Sequence, residues 1–96
     1  MKKYDIIALG ETLIDFTPAG SSPAGMLLFE RNPGGAPVNM LVCAANMGCR
    51  TGFIGKIGAD MQGRFLEETI RSAGVDTGGL VITDDFFTTL AFVTID

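Results

Sequence analysis

The stretch that decides the fold is Pro33-Gly34-Gly35-Ala36-Pro37-Val38-Asn39, which leads into an apolar segment that ends at Gly48. Two adjacent glycines let the backbone turn sharply, and they leave no side chain between the backbone and a ligand. Proline is favoured at the start of a helix, and glycine is favoured just after the last turn. The stretch therefore predicts a glycine corner followed by a helix over Val38 to Met47.

The predicted helix has features that favour ligand binding at its N-terminus. Free N–H groups and the positive end of the helix dipole point at anything that lies over Gly34 and Gly35. Asn39 adds an amide that can both donate and accept hydrogen bonds. This set suits a polyhydroxylated or anionic ligand. A second interpretation is a buried structural helix, apolar on nearly all sides, in which Asn39 serves for local capping.

Composition limits the class of protein. The chain has 96 residues, of which 47% are hydrophobic and 19% charged, so it forms one compact domain at most. Its net charge of −4 argues against a nucleic-acid surface. The sequence has no apolar run of about 18 residues that would predict a membrane span. Cys43 is interpreted as a small core residue, and neither it nor Cys49 as a disulfide partner, which favours a reducing cytoplasm.

The order of the predicted elements indicates an α/β fold. A buried strand is predicted first, then a hairpin, a helix, a strand, a helix and two strands, as follows: Asp5–Gly10, Glu11–Thr17 with Met26–Arg31, Val38–Met47, Thr51–Gly58, Met61–Ala73, Leu80–Thr83 and Thr88–Asp96. This order is the first half of an open sheet with parallel central strands. The long excursion between the first strand and its helix is typical of a ligand site or a lid.

Missing motifs disfavour a dinucleotide site and exclude several other common sites. Gly10 is followed by Glu11-Thr12-Leu13, so the G-x-G-x-x-G fingerprint of a dinucleotide site is missing after the first strand. The chain also has no P-loop motif for a nucleotide. It contains no histidine, so His-based catalytic triads and His metal sites are excluded within these residues. Acid–base chemistry here would fall to Asp or Glu.

Three motifs together resemble a known family. They are Gly10-Glu11-Thr12-Leu13-Ile14-Asp15, the glycine corner with Asn39, and Gly55-Lys56-Ile57-Gly58-Ala59-Asp60 with Gly63-Arg64-Phe65-Leu66. In this order and spacing they resemble the N-terminal third of the ribokinase-like, phosphofructokinase-B-type carbohydrate kinases, and bacterial fructokinases most of all. The resemblance runs from Asp5 to Asp96.

The resemblance implies a fold and a set of sugar contacts. The fold would be the N-terminal part of a doubly wound α/β sheet with a small β lid, its core at residues 1–10 and 33–78 and its lid strands at about 11–32 and 79–96. Asp15, Gly34, Gly35 and Asn39 match the family's contacts to the sugar. Asp60 and Gly63 match a motif that we assign to helix capping and packing. Lid strands often pair between subunits in this family, so we expect a homodimer.

The activity that the resemblance implies is ATP-dependent phosphorylation of a sugar primary hydroxyl, assisted by Mg²⁺. The first candidate reaction is the conversion of fructose to fructose 6-phosphate. The family's catalytic base lies in a C-terminal Gly-Ala-Gly-Asp segment that this chain lacks. We therefore expect no catalytic, nucleotide or metal residue here, and no turnover by these 96 residues alone.

Alternatives remain at the level of the sequence. The substrate could be 2-keto-3-deoxygluconate or the substrate of another sugar or nucleoside kinase. The chain could also belong to a sugar-binding module without catalysis. Asp15 could be an ordinary exposed carboxylate, because residue alternation puts it opposite Ile14 and Phe16.

Overall fold

The computed structural model describes residues 3–93 of the chain, and the end of the predicted last strand, residues 94–96, lies outside the described residues. Eight elements follow one another: β1 (Ile6–Leu9), β2 (Leu13–Ser21), β3 (Leu27–Gly34), α1 (Ala36–Asn46), β4 (Thr51–Gly58), α2 (Met61–Ser72), β5 (Val75–Thr83) and β6 (Leu90–Phe92). They form two three-stranded sheets with the orders β1-β4-β5 and β3-β2-β6. The predicted α/β class is confirmed.

The first sheet is parallel throughout and carries both helices on one face. Ile6 lies opposite Thr51 in the register of β1 and β4, and Thr51 lies opposite Val75 in that of β4 and β5. A single core cluster joins the sheet to the helices; among its members are Val38 and Leu41 of α1, Phe53 and Ile57 of β4, Leu66 and Ile70 of α2, and Val75 and Leu80 of β5. Its side chains are nearly all out of water, which supplies most of the stabilisation of a small fold.

The opposite face of this sheet, which we call the open face, is exposed. Ile7 and Leu9 of β1 have exposed fractions of 53% and 77%, and Ile54 of β4 and Val81 of β5 are exposed beside them. β1, which the sequence predicts as a buried strand, is therefore shielded on one side only in the described residues. β1 alternates because its neighbours cover only the side that carries Ile6 and Ala8.

The second sheet contains the predicted hairpin. β2 pairs with β3 in antiparallel fashion and with β6 in parallel, so β2 is the central strand. β2 continues to Ser21, beyond the predicted end of the strand at Thr17. Proline is tolerated there because β6 pairs with β2 only from Ile14 to Phe16, which leaves a free edge at Pro18. Pro33 likewise lies in β3, an edge strand.

β5 corrects the predicted division between core and lid. The prediction assigns Leu80–Thr83 to the lid, but these residues continue the pairing with β4 as far as Gly58 opposite Thr83. The pattern conceals the start of this strand because Gly78 and Gly79 interrupt it. Gly79 is required by close packing, since a Cβ on it would lie 2.9 Å from Cγ1 of Ile54.

Both helices agree with prediction except in their details. α1 begins at Ala36 with Gly35 as its N-cap, so Pro37 takes the second helical position. Val38 and Leu41 are buried against the sheet. Cys43 is exposed rather than part of the core. α2 is capped by Asp60, as the resemblance implies.

No helix within residues 3–93 is long and apolar enough to cross a membrane.

Candidate functional site

The glycine corner is fixed against the segment that follows β1. Gly35 has a φ of +105°, and a Cβ on it would lie 2.6 Å from the carbonyl oxygen of Glu11. The hydroxyl of Thr12, which is 3% exposed, donates a hydrogen bond of 3.0 Å to the carbonyl oxygen of Gly34. Only glycine combines this backbone conformation with this approach. The corner therefore has one geometry, set before any ligand arrives.

Asp15 lies directly beside this corner. In the hairpin register Leu13 is opposite Gly34 and Asp15 is opposite Asn32, so Asp15 and Leu13 flank the glycine on the same side. A Cβ on Gly34 would collide with Oδ2 of Asp15 and lie 2.9 Å from its Cγ. The Asp15 residue is half-buried. The structure thus brings together Asp15, Gly34 and Gly35, three of the four residues predicted for the site.

Asn39 is the fourth predicted residue, in the first turn of α1. Its backbone N–H donates to the carbonyl oxygen of Gly35 at 3.1 Å, and the residue is exposed. Within residues 3–93 its side-chain amide forms no hydrogen bond, so local capping of the helix does not account for it. The amide remains available at the end of the helix where Gly34 and Gly35 lie.

A cavity of about 310 Å³ adjoins the corner at the carboxyl ends of β1 and β4. Glu11, Thr12, Lys56, Phe86 and Thr88 are among the residues that line it. The ammonium group of Lys56 lies 5.7 Å from the ring centroid of Phe86. Thr12 connects the cavity to Gly34. Cavities at the carboxyl ends of parallel strands are the usual ligand positions in open α/β sheets.

A larger cavity, of about 500 Å³, lies on the open face of the first sheet. Tyr4, Ile7, Ile54 and Asp76 contribute to its walls. None of the predicted site residues lines it.

Asp60 and Thr88 form a joint that the sequence does not predict. The hydroxyl of Thr88 donates to Oδ1 of Asp60 at 2.7 Å, and the backbone N–H of Thr88 donates to Oδ2 at 2.8 Å. The N–H of Gly63 also donates to Oδ1, at 2.7 Å. Burial raises the pKa of the Asp60 carboxyl, but these hydrogen bonds outweigh it and lower the pKa below its ordinary value. The sequence pattern indicates only the cap of α2, because Thr88 is distant along the chain.

The chemistry available here is the recognition of hydroxyl groups. A half-buried carboxylate accepts hydrogen bonds, while the first turn of α1 and the Asn39 amide donate them. Mg²⁺ prefers several oxygen ligands, and in the described part of the chain no group of three or more Asp, Glu, Cys or His side chains converges. The acidic side chains of residues 3–93 therefore do not form a group that fits Mg²⁺.

Comparison with known proteins agrees with this geometry. The chain is 45% identical over 92 residues to fructokinase-1 of Oryza sativa subsp. japonica, an alignment that covers 94% of the chain and 28% of that protein. It is 36% identical over 97 residues to 5-dehydro-2-deoxygluconokinase of Halalkalibacterium halodurans, which covers 98% and 29%. The chain thus spans less than a third of the length of these relatives.

The solved fructokinase of Xylella fastidiosa superposes with a TM-score of 0.87 at 41% identity, over 95% of this chain and 28% of that one, and it has also been solved with bound ATP. The family model described as pfkB family carbohydrate kinase matches residues 3–96. Fold, motif order and relatives agree, and the chain belongs to the pfkB family of carbohydrate kinases.

Proposed function

We propose that the protein of which this chain is part phosphorylates a sugar hydroxyl with ATP, and that this chain supplies the sugar-binding half. The observation that carries the proposal is the contact of the Asp15 carboxylate with Gly34 at the open end of α1. Family membership supports the reaction class, since the relatives are named as sugar kinases.

Each site residue then has a role in holding the sugar. Asp15 accepts hydrogen bonds from sugar hydroxyls, and a hydrogen bond to a charged group contributes roughly 1.5–3 kcal/mol. Gly34 and Gly35 let the ring approach the backbone, and the Asn39 amide contacts a further hydroxyl. The catalytic base, the nucleotide and Mg²⁺ are assigned to residues outside this chain, so the part of this chain in the reaction is to bind and orient the sugar.

Fructose is the substrate that we propose first, with fructose 6-phosphate as its product. The support is the 45% identity to a fructokinase, against 36–41% identity to 5-dehydro-2-deoxygluconokinases. A keto-deoxy sugar acid such as 2-keto-3-deoxygluconate is the second candidate. The two differ in charge, because the acid carries a carboxylate that would need a positive partner. Lys56, in the adjoining cavity, is a residue of suitable charge.

The test is a phosphorylation screen of the full-length protein. With ATP and Mg²⁺ present, we expect fructose to give the highest kcat/KM among about ten sugars, sugar acids and nucleosides. Asp15→Asn should raise the KM for fructose by at least about tenfold, because it removes a charged acceptor. Glu68→Gln, the same chemical change at an exposed position of α2, is the control and should leave the KM unchanged.

Two results would contradict the proposal. Activity on none of the compounds would remove the kinase assignment in favour of a binding module without catalysis. A fructose KM that is equal in the Asp15→Asn variant and the control would show that Asp15 does not bind the sugar. Preference for a sugar acid would replace fructose by the second candidate.

We further propose that β3-β2-β6 is the lid over the sugar and that two copies pair through it. One face of this sheet carries an aromatic cluster: the Phe16 and Phe92 rings stack at 4.9 Å, and the Phe29 ring meets that of Phe92 edge-on at 5.5 Å. Phe92 is nevertheless 60% exposed, and exposed strand edges and apolar faces favour association.

Sedimentation of the full-length protein should therefore give a homodimer. We also propose a cytoplasmic location, which the free cysteines favour. Phe92→Glu should shift the protein toward monomer because it puts a charge on the paired face. A monomer in the unsubstituted protein at micromolar concentration would contradict the pairing.

A further inference from the structure

Thr88 occupies a socket at the carboxyl edge of the first sheet. Its residue is 5% exposed. Besides its two hydrogen bonds to Asp60, its hydroxyl accepts a hydrogen bond of 3.1 Å from the N–H of Gly58. A Cβ on Gly58 would lie 2.6 Å from the Thr88 nitrogen, and a Cβ on Gly63 would lie 3.0 Å from the Thr88 hydroxyl. Gly58 thus makes room for the backbone of Thr88, and Gly63 makes room for its hydroxyl.

The socket is built only from the first sheet and the start of α2. Gly58 is the last residue of β4, and Asp60 and Gly63 begin α2. Thr88, in contrast, belongs to the segment that enters β6 of the second sheet. The socket is therefore a fixed point at which the chain leaves one sheet for the other.

The residues after Thr88 pair directly with the part of β2 that carries Asp15. The carbonyl oxygen of Thr89 accepts a hydrogen bond of 3.0 Å from the N–H of Ile14, and Ala91 lies opposite Asp15 in the parallel register of β6 and β2. The N–H of Val93 then donates to the carbonyl oxygen of Phe16 at 2.8 Å. The position of β2 over the first sheet therefore depends on where Thr88 is held.

A second contact ties the other side of the hairpin to the same helix. Arg31 of β3 donates a hydrogen bond of 3.2 Å to the side chain of Gln62, and its guanidinium lies 3.9 Å from the ring centroid of Phe65. Arg31 is exposed, whereas Thr88 is buried and its two hydrogen bonds to the Asp60 carboxylate are part-buried. Hydrogen bonds to a charged group gain strength as water is excluded, so we expect the Thr88 socket to be the stronger of the two contacts.

We propose that Thr88 is a positioning residue of the kinase. Its hydrogen bonds to Asp60 hold the second sheet in a fixed position relative to the first sheet, and they thereby place Asp15 where sugar binding requires it. This inference rests on the proposed function of Asp15. It assigns to the Gly58, Asp60 and Gly63 set a role beyond capping α2.

The test compares substitutions of Thr88 in the full-length protein. Thr88→Val keeps the shape of the side chain and removes its hydroxyl, so we expect the KM for the sugar to rise about tenfold while the KM for ATP changes by less than about twofold. Thr88→Ser keeps the hydroxyl and should restore the sugar KM. Thr69→Val makes the same chemical change in the last turns of α2 and should have no effect on either KM.

The readouts separate positioning from general loss of structure. A structural defect alone lowers the fraction of active protein, which reduces kcat and leaves both KM values unchanged. Amide hydrogen exchange should also become faster at Ile14 and Val93 in Thr88→Val, because β6 is no longer held. If Thr88→Val does not fold, Asp60→Asn weakens the same anchor and should give the same selective rise in the sugar KM.

Two outcomes would overturn the inference. One is a sugar KM in folded Thr88→Val within about twofold of the unsubstituted protein. The other is a Thr88→Ser variant as impaired as Thr88→Val. Asp15→Asn, measured in parallel, keeps the two proposals apart. If it raises the sugar KM and Thr88→Val does not, the anchor alone is wrong; if it has no effect, the sugar site itself is wrong.

Discussion

At the scale of single residues, the candidate site depends on what Gly34 and Gly35 lack. Gly35 needs its positive φ to turn the chain from β3 into α1. Gly34 has a different requirement, because the space of its missing side chain is filled by the Asp15 carboxylate. The two glycines therefore differ in what a substitution would disturb. A side chain at Gly35 would strain the backbone, whereas a side chain at Gly34 would displace the Asp15 carboxylate.

Gly34→Ala should consequently act on sugar binding through Asp15. The added methyl displaces the carboxylate, so we expect the sugar KM to rise about tenfold, with a loss of stability of about 1–3 kcal/mol from overpacking. The measurement is steady-state kinetics on Gly34→Ala, Asp15→Asn and the double variant. The double variant should be no worse than Asp15→Asn, since both changes remove the same interaction. Additive losses would contradict this mechanism.

Gly35 gives the contrasting case. Gly35→Ala puts a Cβ against the Glu11 carbonyl and strains a backbone that L side chains rarely adopt, so we expect the loss to appear mainly in stability, about 2–4 kcal/mol. Thermal unfolding of the full-length protein measures it. A variant as stable as the parent would mean that the corner can relax.

The sequence is informative about residues wherever function requires a rare local feature. The paired glycines, Asn39 in the first helical turn and Asp60 before α2 are all visible as patterns. Thr88 is not, because a threonine just before a strand has no local signature and its partner Asp60 is separated from it by α2 and β5. A pairing of this kind is set by tertiary structure.

At the scale of elements, α2 is both a wall of the core and the support of the second sheet. Leu66 and Ile70 are buried on its inner side, and Glu67 and Arg71 form an ion pair on the outer side, at 3.8 Å. An exposed pair of this type contributes little. The N-terminal turn matters more, because the Asp60 carboxylate there receives hydrogen bonds from both α2 and the segment before β6.

This arrangement predicts a pH dependence of stability. The pKa of Asp60 is lowered in the folded state, so its contribution is fully present above the ordinary Asp value, about 3.9, and is lost as the pH falls through the lower folded value. We expect Asp60→Asn to lower the melting temperature at pH 7. The difference from the parent should shrink as the pH falls below about 4, because the unfolded chain takes up the proton first and the folded carboxyl only at lower pH. A difference that stays constant between pH 7 and pH 3 would contradict it.

The extents of the strands are harder to predict than their existence. All six strands are expected from the sequence, yet β2 and β5 run several residues further than their patterns indicate. In both cases Pro or Gly lies inside a strand, at a free edge in β2 and at a close backbone approach in β5. Such exceptions depend on neighbouring strands, which a local pattern does not contain.

At the scale of the whole molecule, the two faces of the first sheet are unequal. One face is closed by α1 and α2, while the open face leaves Ile7, Leu9 and Ile54 in water. An apolar face of this kind is typical of a surface covered by further structure. The composition indicates the same, because 47% hydrophobic residues are many for a chain of 96.

The 96-residue chain on its own should therefore be an incomplete enzyme. We expect it to bind an apolar dye through the open face and to associate, and we expect no steady ADP release when it is mixed with ATP and fructose. A coupled assay for ADP measures the second point, with the full-length protein as the positive control. Sustained turnover by the isolated chain would show that the base and the phosphate site lie within these residues after all.

The pairing of β2 with β6 has a consequence for biosynthesis. β2 is synthesised early, but its neighbour β6 is synthesised about 70 residues later. During translation we therefore expect β2 to pair first with β3 alone. Closing so long a loop is slow compared with forming a helix or a hairpin. The first sheet and its two helices can assemble beforehand, and Thr88 then reaches a socket that is already built. The part of the candidate site that carries Asp15 is thus expected to be among the last parts of this region to reach its folded position.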